Sequence, residues 1–431
     1  MFNLYINDLI HELNGQHSGV SIDEQTQVSA LMYADDLAII SDNEQNMQVL
    51  IDTLENWCSK WRMTVNTNKT KVVHFRSPSK PRSNIPLKMN NYDIDYVNQY
   101  KYLGIILDEY LLFNVTASTL AKAGNRALAA IYTKFNKLKG LGYKTFSKLY
   151  HTGVAPILDY CSGIWGFQNF GYIDTIQNKA IRFFLGVHRF SPNLAINGDV
   201  AWCSSTIRRQ VEMLRFWNRV VGMDDNRLTK RIFLWDYSKR SCKGNWNSDI
   251  YKLFTKIGRT DHFTNLSQVN VYAAKTILEQ EEENEWQNLT LSSPKLRTFK
   301  LFKNEYKTEP YVIKIHNRAH RSVFAQLRCG ILPLKIETGR YTNIPKEFRL
   351  CIFCEKNEIE DEIHFLFECP FYNDVRLKFW PNFNSSCSNF GQLENVDKLG
   401  KMMSNELVKI SSLYVYECFL KRRNCLYQNS M

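Results

Sequence analysis

The sequence contains no hydrophobic run long enough to cross a membrane. A transmembrane helix needs about 18 or more consecutive apolar residues, and no stretch of the 431 residues reaches that length. The opening segment MFNLYINDLI also lacks the basic flank and small-residue cleavage site of a secretory signal peptide. We therefore expect an intracellular protein that does not enter a membrane, and both nucleus and cytoplasm fit this expectation.

The sequence also lacks the cysteine pattern of a disulfide-stapled protein. Its 11 cysteines are an odd number, spread from Cys58 to Cys425, and only one close C-x-x-C pair occurs among them. Small extracellular domains instead carry dense, paired cysteines. An extracellular disulfide framework is therefore excluded, and we expect most of these residues to be buried thiols.

What the sequence does contain is apolar residues and positive charge. Apolar residues make up 44% of the chain, with 22 tyrosines and 26 phenylalanines, which is enough for substantial cores, and the length favours about two to four domains. Lysine and arginine number 55 against 43 acidic residues, a net charge of +12. This excess favours a polyanionic partner such as nucleic acid, although an anionic membrane surface fits the charge equally well.

Local patterns predict an α+β fold. The runs VSALMY and LAIIS flank Ala34 to Asp36 and predict two strands joined by a tight turn. Apolar residues at three- and four-residue spacing predict a helix from Glu44 to Trp61. KTKVVHF and DYVNQYKYLGIIL predict further strands, with a turn at Asn90 and Asn91 between them. From Asn114 onward the sequence predicts mainly helices, with Gly140 and Gly186 as stops.

Two adjacent carboxylates, Asp35 and Asp36, stand at the predicted hairpin turn. Enzymes that transfer phosphoryl groups with two metal ions need oxygen ligands that converge on those ions, and Mg²⁺ prefers a few carboxylates plus substrate oxygens. The simpler alternative is that the two residues only close a hairpin, because aspartate favours turns. The residues by themselves leave both readings open.

The order of motifs around this pair resembles reverse transcriptases of non-LTR (LINE-class) retrotransposons. FNLYINDL, LMYADDLAII, the helix that ends near NTNKTKVVHF, and YKYLGIIL follow one another as in the later half of that family's palm. The resemblance implies that Asp35 and Asp36 bind Mg²⁺ or Mn²⁺ and that Lys69 lies near the phosphates of the incoming nucleotide. It further implies that Tyr102, Leu103 and Gly104 belong to the primer grip.

The resemblance also shows what this sequence does not contain. The family has another metal-binding aspartate and a Gly-Gln motif upstream, and the 34 residues before Asp35 match neither. A two-metal site needs carboxylates from separate strands. We therefore expect an N-terminally truncated polymerase that is inactive alone.

A second constellation, Cys351, Cys354, His364 and Cys369, has the spacing C-x2-C-x9-H-x4-C. Four such residues can close a tetrahedral zinc site with no position left for a catalytic water, so the predicted Zn²⁺ is structural. The alternative is four unrelated residues. The flanking sequence resembles the C-terminal segment of the same retrotransposon proteins, in which a CCHC knuckle contacts template RNA or target DNA. Nearby arginines could contact phosphates, and Tyr341 and Phe353 could stack on bases. We expect instead that the two aromatic residues belong to the core and that the arginines are surface charges, namely Arg318, Arg321, Arg328, Arg340 and Arg349.

Together these patterns divide the chain into five predicted regions. They are a partial palm (1–108), a helical thumb (109–190), a mainly helical connecting region (191–345), a zinc knuckle (346–376) and a C-terminal helical segment (377–431). The implied function is RNA-directed DNA synthesis primed at a nicked chromosomal site, with RNA template, DNA and an element ribonucleoprotein as partners. The alternative is a non-catalytic nucleic-acid-binding relic or host-used fragment with a zinc knuckle, which primer extension distinguishes.

Overall fold

The computed structural model describes residues 6–24, 26–239 and 244–428. Residues 2–5, the first part of the FNLYIND motif, lie outside the described residues. Within the described ranges, none of the helices combines the length and the apolar character that a bilayer crossing requires. The described chain is mostly helical with small antiparallel sheets, which confirms the predicted α+β class.

The chain forms two compact units that alternate along the sequence. The first comprises the described part of Met1–Thr119 together with Cys161–Gln168 and Gln210–Val271. The second comprises Leu120–Tyr160, Asn169–Arg209 and the described part of Tyr272–Met431. The five predicted regions follow finer boundaries and stay a prediction.

Every sheet in the described residues is a two-stranded antiparallel ladder. The strands are β1 (Val20–Ser21) with β2 (Gln27–Val28), β3 (Ala30–Tyr33) with β4 (Asp36–Ile39), β5 (Lys88–Met89) with β6 (Tyr92–Asp93), and β7 (Gln99–Tyr102) with β8 (Ile105–Asp108).

Helices dominate the remainder of the chain. The first half holds α1 (Asn7–Gly15), α2 (Glu44–Trp61), α3 (Asn114–Lys137), α4 (Tyr143–Gly153), α5 (Ala155–Leu158), α6 (Ser162–Trp165), α7 (Gly171–Leu185), α8 (Asn193–Val200) and α9 (Ser205–Val221). The second half holds α10 (Leu228–Ser238), α11 (Trp246–Lys256), α12 (Thr260–Thr264), α13 (Val271–Ser292), α14 (Pro310–Lys314), α15 (Arg318–Arg328), α16 (Lys335–Tyr341), α17 (Asn373–Ser386), α18 (Asn395–Met402) and α19 (Val408–Gln428). Short 3-10 turns lie at Pro294–Leu296, Phe299–Leu301, Lys346–Phe348, Pro370–Tyr372 and Phe390–Gln392, and a π-helical turn lies at His364–Glu368.

Helix α2 has the bounds that its apolar spacing predicts. The Asn43 side chain caps its N-terminus by accepting a 2.8 Å hydrogen bond from the Asn46 amide, which satisfies one of the helix's free donors. Its buried face includes Leu50, Leu54 and Trp57. These residues pack in one core with α1 and β3, so the helix supports the hairpin that carries the two aspartates.

One turn confirms a predicted hairpin turn, and one predicted strand is wrong. Asn90 and Asn91 have φ of +49° and +65°, the left-handed pair of values that a tight hairpin turn needs and that asparagine tolerates. KTKVVHF, by contrast, does not form a ladder. Only Val72 makes an isolated bridge, to Tyr96, because the segment meets no continuous partner strand. The predicted helix stop at Gly186 is confirmed, with φ of +76°.

Candidate functional site

The YADD segment forms the tip of the β3–β4 hairpin. Tyr33 pairs with Asp36 across the ladder, which leaves Ala34 and Asp35 as a two-residue turn. Ala34 has φ of +53°, as the first position of such turns requires, at a cost of about 1 to 2 kcal/mol for a residue other than glycine. The hairpin therefore presents both carboxylates to solvent, where Asp35 and Asp36 are exposed.

Lys69 lies on an exposed turn, and a tyrosine of strand β7 forms a hydrogen bond with the backbone of this turn. The Asn66 side chain accepts a hydrogen bond of 3.2 Å from the Lys69 amide and shapes the turn. The Tyr100 hydroxyl donates to the Lys69 carbonyl at 3.1 Å. The backbone of the turn is therefore attached to β7, while the Lys69 side chain stays exposed.

The hairpin predicted as a primer grip is formed by β7 and β8. Leu103 and Gly104 form its turn with φ of +47° and +87°. Burial raises the pKa of Tyr102, and the negative charge of Asp36 raises it further, so this hydroxyl lies within electrostatic range of the YADD carboxylate. Tyr100 and Tyr102 point to the same face of β7, as residues two apart in a strand do. The Tyr100 hydroxyl on β7 thus links this hairpin to the Lys69 turn.

The aspartate pair is not part of a larger metal-binding cluster in the described ranges. Such a cluster is a group of three or more histidine, cysteine, aspartate or glutamate side chains whose donor atoms lie close together. Among the described residues, such groups occur only around His364. Asp35 and Asp36 therefore offer two carboxylates from one hairpin, without a third from a neighbouring strand.

Cys351, Cys354, His364 and Cys369 come together as the sequence predicts. Their four donor atoms all lie within 4.8 Å of one another. The Sγ atoms of Cys351 and Cys369 are 3.8 Å apart, and Cys354 Sγ lies 3.4 Å from His364 Nε2. Tetrahedral zinc with Zn–S and Zn–N bonds of about 2.3 and 2.0 Å requires donor separations of about 3.8 and 3.5 Å. The four residues therefore fit a zinc ion.

The surroundings of the cluster also suit a metal site. Glu358 Oε2 lies 2.7 Å from His364 Nδ1. A carboxylate in this position fixes the tautomer of a metal-binding histidine and raises its basicity. The Cys351 amide donates to the Glu358 carbonyl at 2.9 Å, which closes the loop on itself. A hydrogen bond from the Cys351 thiol lowers the pKa of Cys369 and so favours its thiolate. Sequence reasoning missed Glu358, although its position between the ligands was a signal.

The structure corrects two expectations about side chains near the cluster. Arg321 and Arg328, expected at the surface with Arg318, Arg340 and Arg349, are each only 1% exposed. They are buried because carbonyl and carboxylate groups accept their hydrogen bonds. Tyr341, expected in the core, is 73% exposed. Phe353 is partly buried against Phe371, with ring centroids 4.9 Å apart.

Comparison with known proteins identifies the N-terminal region. Residues 1–107 match the family described as "Reverse transcriptase (RNA-dependent DNA polymerase)". The YADD hairpin, the Lys69 turn and the β7–β8 hairpin all fall within or at the end of this match. This part of the chain is therefore similar to the reverse transcriptase family.

The relatives are polymerases of mobile elements. The chain is 28% identical to "Probable RNA-directed DNA polymerase from transposon BS" of Drosophila melanogaster over 159 residues, which are 35% of this chain and 18% of that protein. It is 24% identical to the RNA-directed DNA polymerase from mobile element jockey of Drosophila funebris over 169 residues, 37% of the chain and 18% of the relative. The jockey polymerase of Drosophila melanogaster is 26% identical over 198 residues, 43% and 21% of the two proteins. The likeness is to polymerases of non-LTR retrotransposons, and it spans about a fifth of their length.

Proposed function

We propose that this chain serves RNA-templated DNA synthesis as part of a non-LTR retrotransposon reverse transcriptase. Asp35 and Asp36 bind Mg²⁺ or Mn²⁺, Lys69 stabilises the phosphates of the incoming nucleotide, and Tyr102 to Gly104 hold the primer terminus. The observation that carries the proposal is the strand β7, which ends at Tyr102 of the predicted primer grip and whose Tyr100 hydroxyl donates a 3.1 Å hydrogen bond to the Lys69 carbonyl. Two motifs that lie far apart in sequence are therefore in contact.

The chemistry of these residues follows from their charges and exposure. Asp35 and Asp36 would hold a divalent cation, which would supply positive charge that lowers the pKa of an attacking 3′-hydroxyl. Lys69 supplies a positive charge that is free to move, because only the backbone of its turn is fixed. The zinc cluster has a structural role, since four protein ligands fill a tetrahedral coordination sphere.

Two carboxylates from one hairpin cannot fix two metal ions in the geometry that in-line phosphoryl transfer requires. The described residues supply no third donor beside them. We therefore expect that the 431-residue chain alone does not extend a primer, and that synthesis requires a further aspartate from another polypeptide segment. Robust extension of a primed RNA template by this chain, lost on Asp35→Ala, would contradict that expectation.

Metal binding at the hairpin is tested directly by Fe²⁺-mediated cleavage. In the presence of primed RNA template, ascorbate and peroxide, Fe²⁺ at the site should cut the backbone close to residues 33–37. Asp35→Asn should abolish the cut. Asp93→Asn is the matched control, because Asp93 is an exposed aspartate in another hairpin of the same unit. An unchanged cut in Asp35→Asn, or equal loss in both variants, would refute the assignment.

A further inference from the structure

A cationic cavity lies in the second unit, outside the site described above. It has a volume of about 350 Å³, within the range of small ligand pockets. Lys144 and Thr145 line it from α4, Lys314 and His316 from the end of α14 and the residues after it, and Lys409 from α19. Three separate segments of the chain therefore bring three lysines and a histidine to one concave surface.

Packing of α14 explains why the lysines converge. This short helix contacts both α4 and α19, and its own residues Tyr311 and Val312 are buried. The Lys314 ammonium donates a 2.9 Å hydrogen bond to the Asn405 carbonyl, just before α19. This contact fixes one cationic group at the wall of the cavity, so its charge does not depend on a freely moving side chain.

Negative charge that would neutralise these lysines is missing from the cavity wall. None of the residues that line it is acidic, and Lys144 and Lys409, both exposed, have no carboxylate partner among the described residues. From Tyr110 to Leu158 the chain holds seven lysines and arginines and not one acidic residue. Like charges held close together repel one another, and an anion in the cavity relieves that repulsion.

We propose that this cavity binds a phosphate group in the backbone of a single-stranded nucleic acid. Phosphate suits the wall because lysine ammonium groups and a threonine hydroxyl donate hydrogen bonds to its several oxygens. The cavity also lies at the first turn of α4, where the helix dipole adds partial positive charge. That the phosphate belongs to a nucleic acid rests on the proposed function, which makes RNA and DNA the polymers this protein handles.

Salt-dependent RNA binding by the full chain tests the proposal. The probe is a fluorescein-labelled single-stranded RNA, measured by anisotropy over a range of NaCl concentrations without nucleotides or Mg²⁺. Each phosphate contact on a single strand contributes about −0.7 to the slope of log K against log salt. The double variant Lys144→Gln with Lys409→Gln should therefore flatten the slope by up to about 1.4 and weaken binding about tenfold at 0.1 M salt.

The matched control is Lys295→Gln with Lys401→Gln, two exposed lysines of the same unit that do not line the cavity. Both double variants lower the net charge of +12 by the same two units, so a general charge effect changes both equally. Lys144→Arg with Lys409→Arg should keep the wild-type slope, and equal melting temperatures verify folding. Equal slopes in the two glutamine variants, or no RNA binding by the wild-type chain, would overturn the proposal.

Because the assay needs no synthesis, it is independent of the polymerase assignment. Asp35→Asn should bind the labelled RNA as the wild type does. Loss of Fe²⁺ cleavage without any change of slope in the lysine variants would refute the cavity alone, and a flattened slope together with unchanged cleavage in Asp35→Asn would refute the metal site alone.

Discussion

Replacement of Cys354 by serine should remove a bound zinc ion from the C-terminal cluster. The partly buried thiol lies 3.4 Å from His364 Nε2, and a serine hydroxyl in its place is a poor zinc ligand, since zinc sites of this kind use thiolate and imidazole. The donor separations already match a tetrahedral ion within a few tenths of an ångström, so the wild-type chain should take up zinc with little rearrangement.

The size of the effect follows from the environment of the four ligands. Structural zinc contributes on the order of 10 to 16 kcal/mol to zinc-finger peptides, where binding and folding are one event. Here Cys369 is itself fully buried, as are Phe365 and Leu366, which directly follow His364 in the sequence. This packing should keep the segment partly folded without metal, so the loss of stability should be smaller than in a peptide. Zinc affinity should fall more than the roughly 10- to 100-fold that loss of an outer partner costs.

Metal analysis of the purified chain provides the measurement. Wild-type protein prepared with zinc should hold one ion per chain, and Cys354→Ser should hold less than about a tenth of that. Co²⁺ substitution should give thiolate charge-transfer absorption in the wild type alone. Cys387→Ser is the control, because Cys387 is also partly buried but lies outside the cluster.

Glu358→Gln provides a finer version of the same test. The substitution weakens the negative partner 2.7 Å from His364 Nδ1 and should lower zinc affinity by about 10- to 100-fold without removing a ligand. Glu355→Gln, an exposed carboxylate on the same loop, should leave the affinity unchanged. Equal zinc content in wild type and Cys354→Ser, or no zinc in either, would refute the assignment of this cluster.

Two further predictions concern the second unit. Arg328→Met should lower the free energy of unfolding by about 3 to 5 kcal/mol, because Arg328 forms hydrogen bonds of 2.9 and 2.7 Å with the fully buried Asp199. Urea unfolding measures the loss, and the exposed Arg423→Met is the control; similar losses in both would contradict the role of the buried pair. Burial lowers the pKa of His151 from 6.5 to about 4, and the charge of Arg208 adds to the effect. The folded chain therefore resists protonation, so stability should be full above pH 6.5 and fall as the pH drops toward 4. His151→Asn should reduce this acid sensitivity in urea unfolding at pH 7 and pH 5, whereas the exposed His11→Asn should retain it.

Short-range patterns were the most reliable part of the sequence. The bounds of α2 follow from its apolar spacing, since a helix buries residues that recur every three or four positions. The turn at Asn90 to Asn91 follows from residue type, because asparagine tolerates the left-handed backbone of a tight hairpin. The four residues of the Cys/His cluster could be predicted because C-x2-C with His and Cys at short distance is a compact pattern.

Other features depended on contacts between distant residues. KTKVVHF has the composition of a strand, yet a strand requires a partner, and only Val72 finds one. The burial of Arg328 could not be inferred from its neighbours, because its partners Asp199 and Glu309 come from elsewhere in the chain. The exposure of Tyr341 could not be inferred from its sequence neighbours either.

By itself the sequence determined the local elements, the aspartate pair at a turn and the spacing of the zinc ligands, because these depend on residues within about one or two turns of each other. Only the tertiary structure decided which distant groups meet. It brought Tyr100 to the Lys69 turn and three lysines to one cavity. These contacts depend on how helices and hairpins pack. Packing is determined by the whole core rather than by any local run of residues.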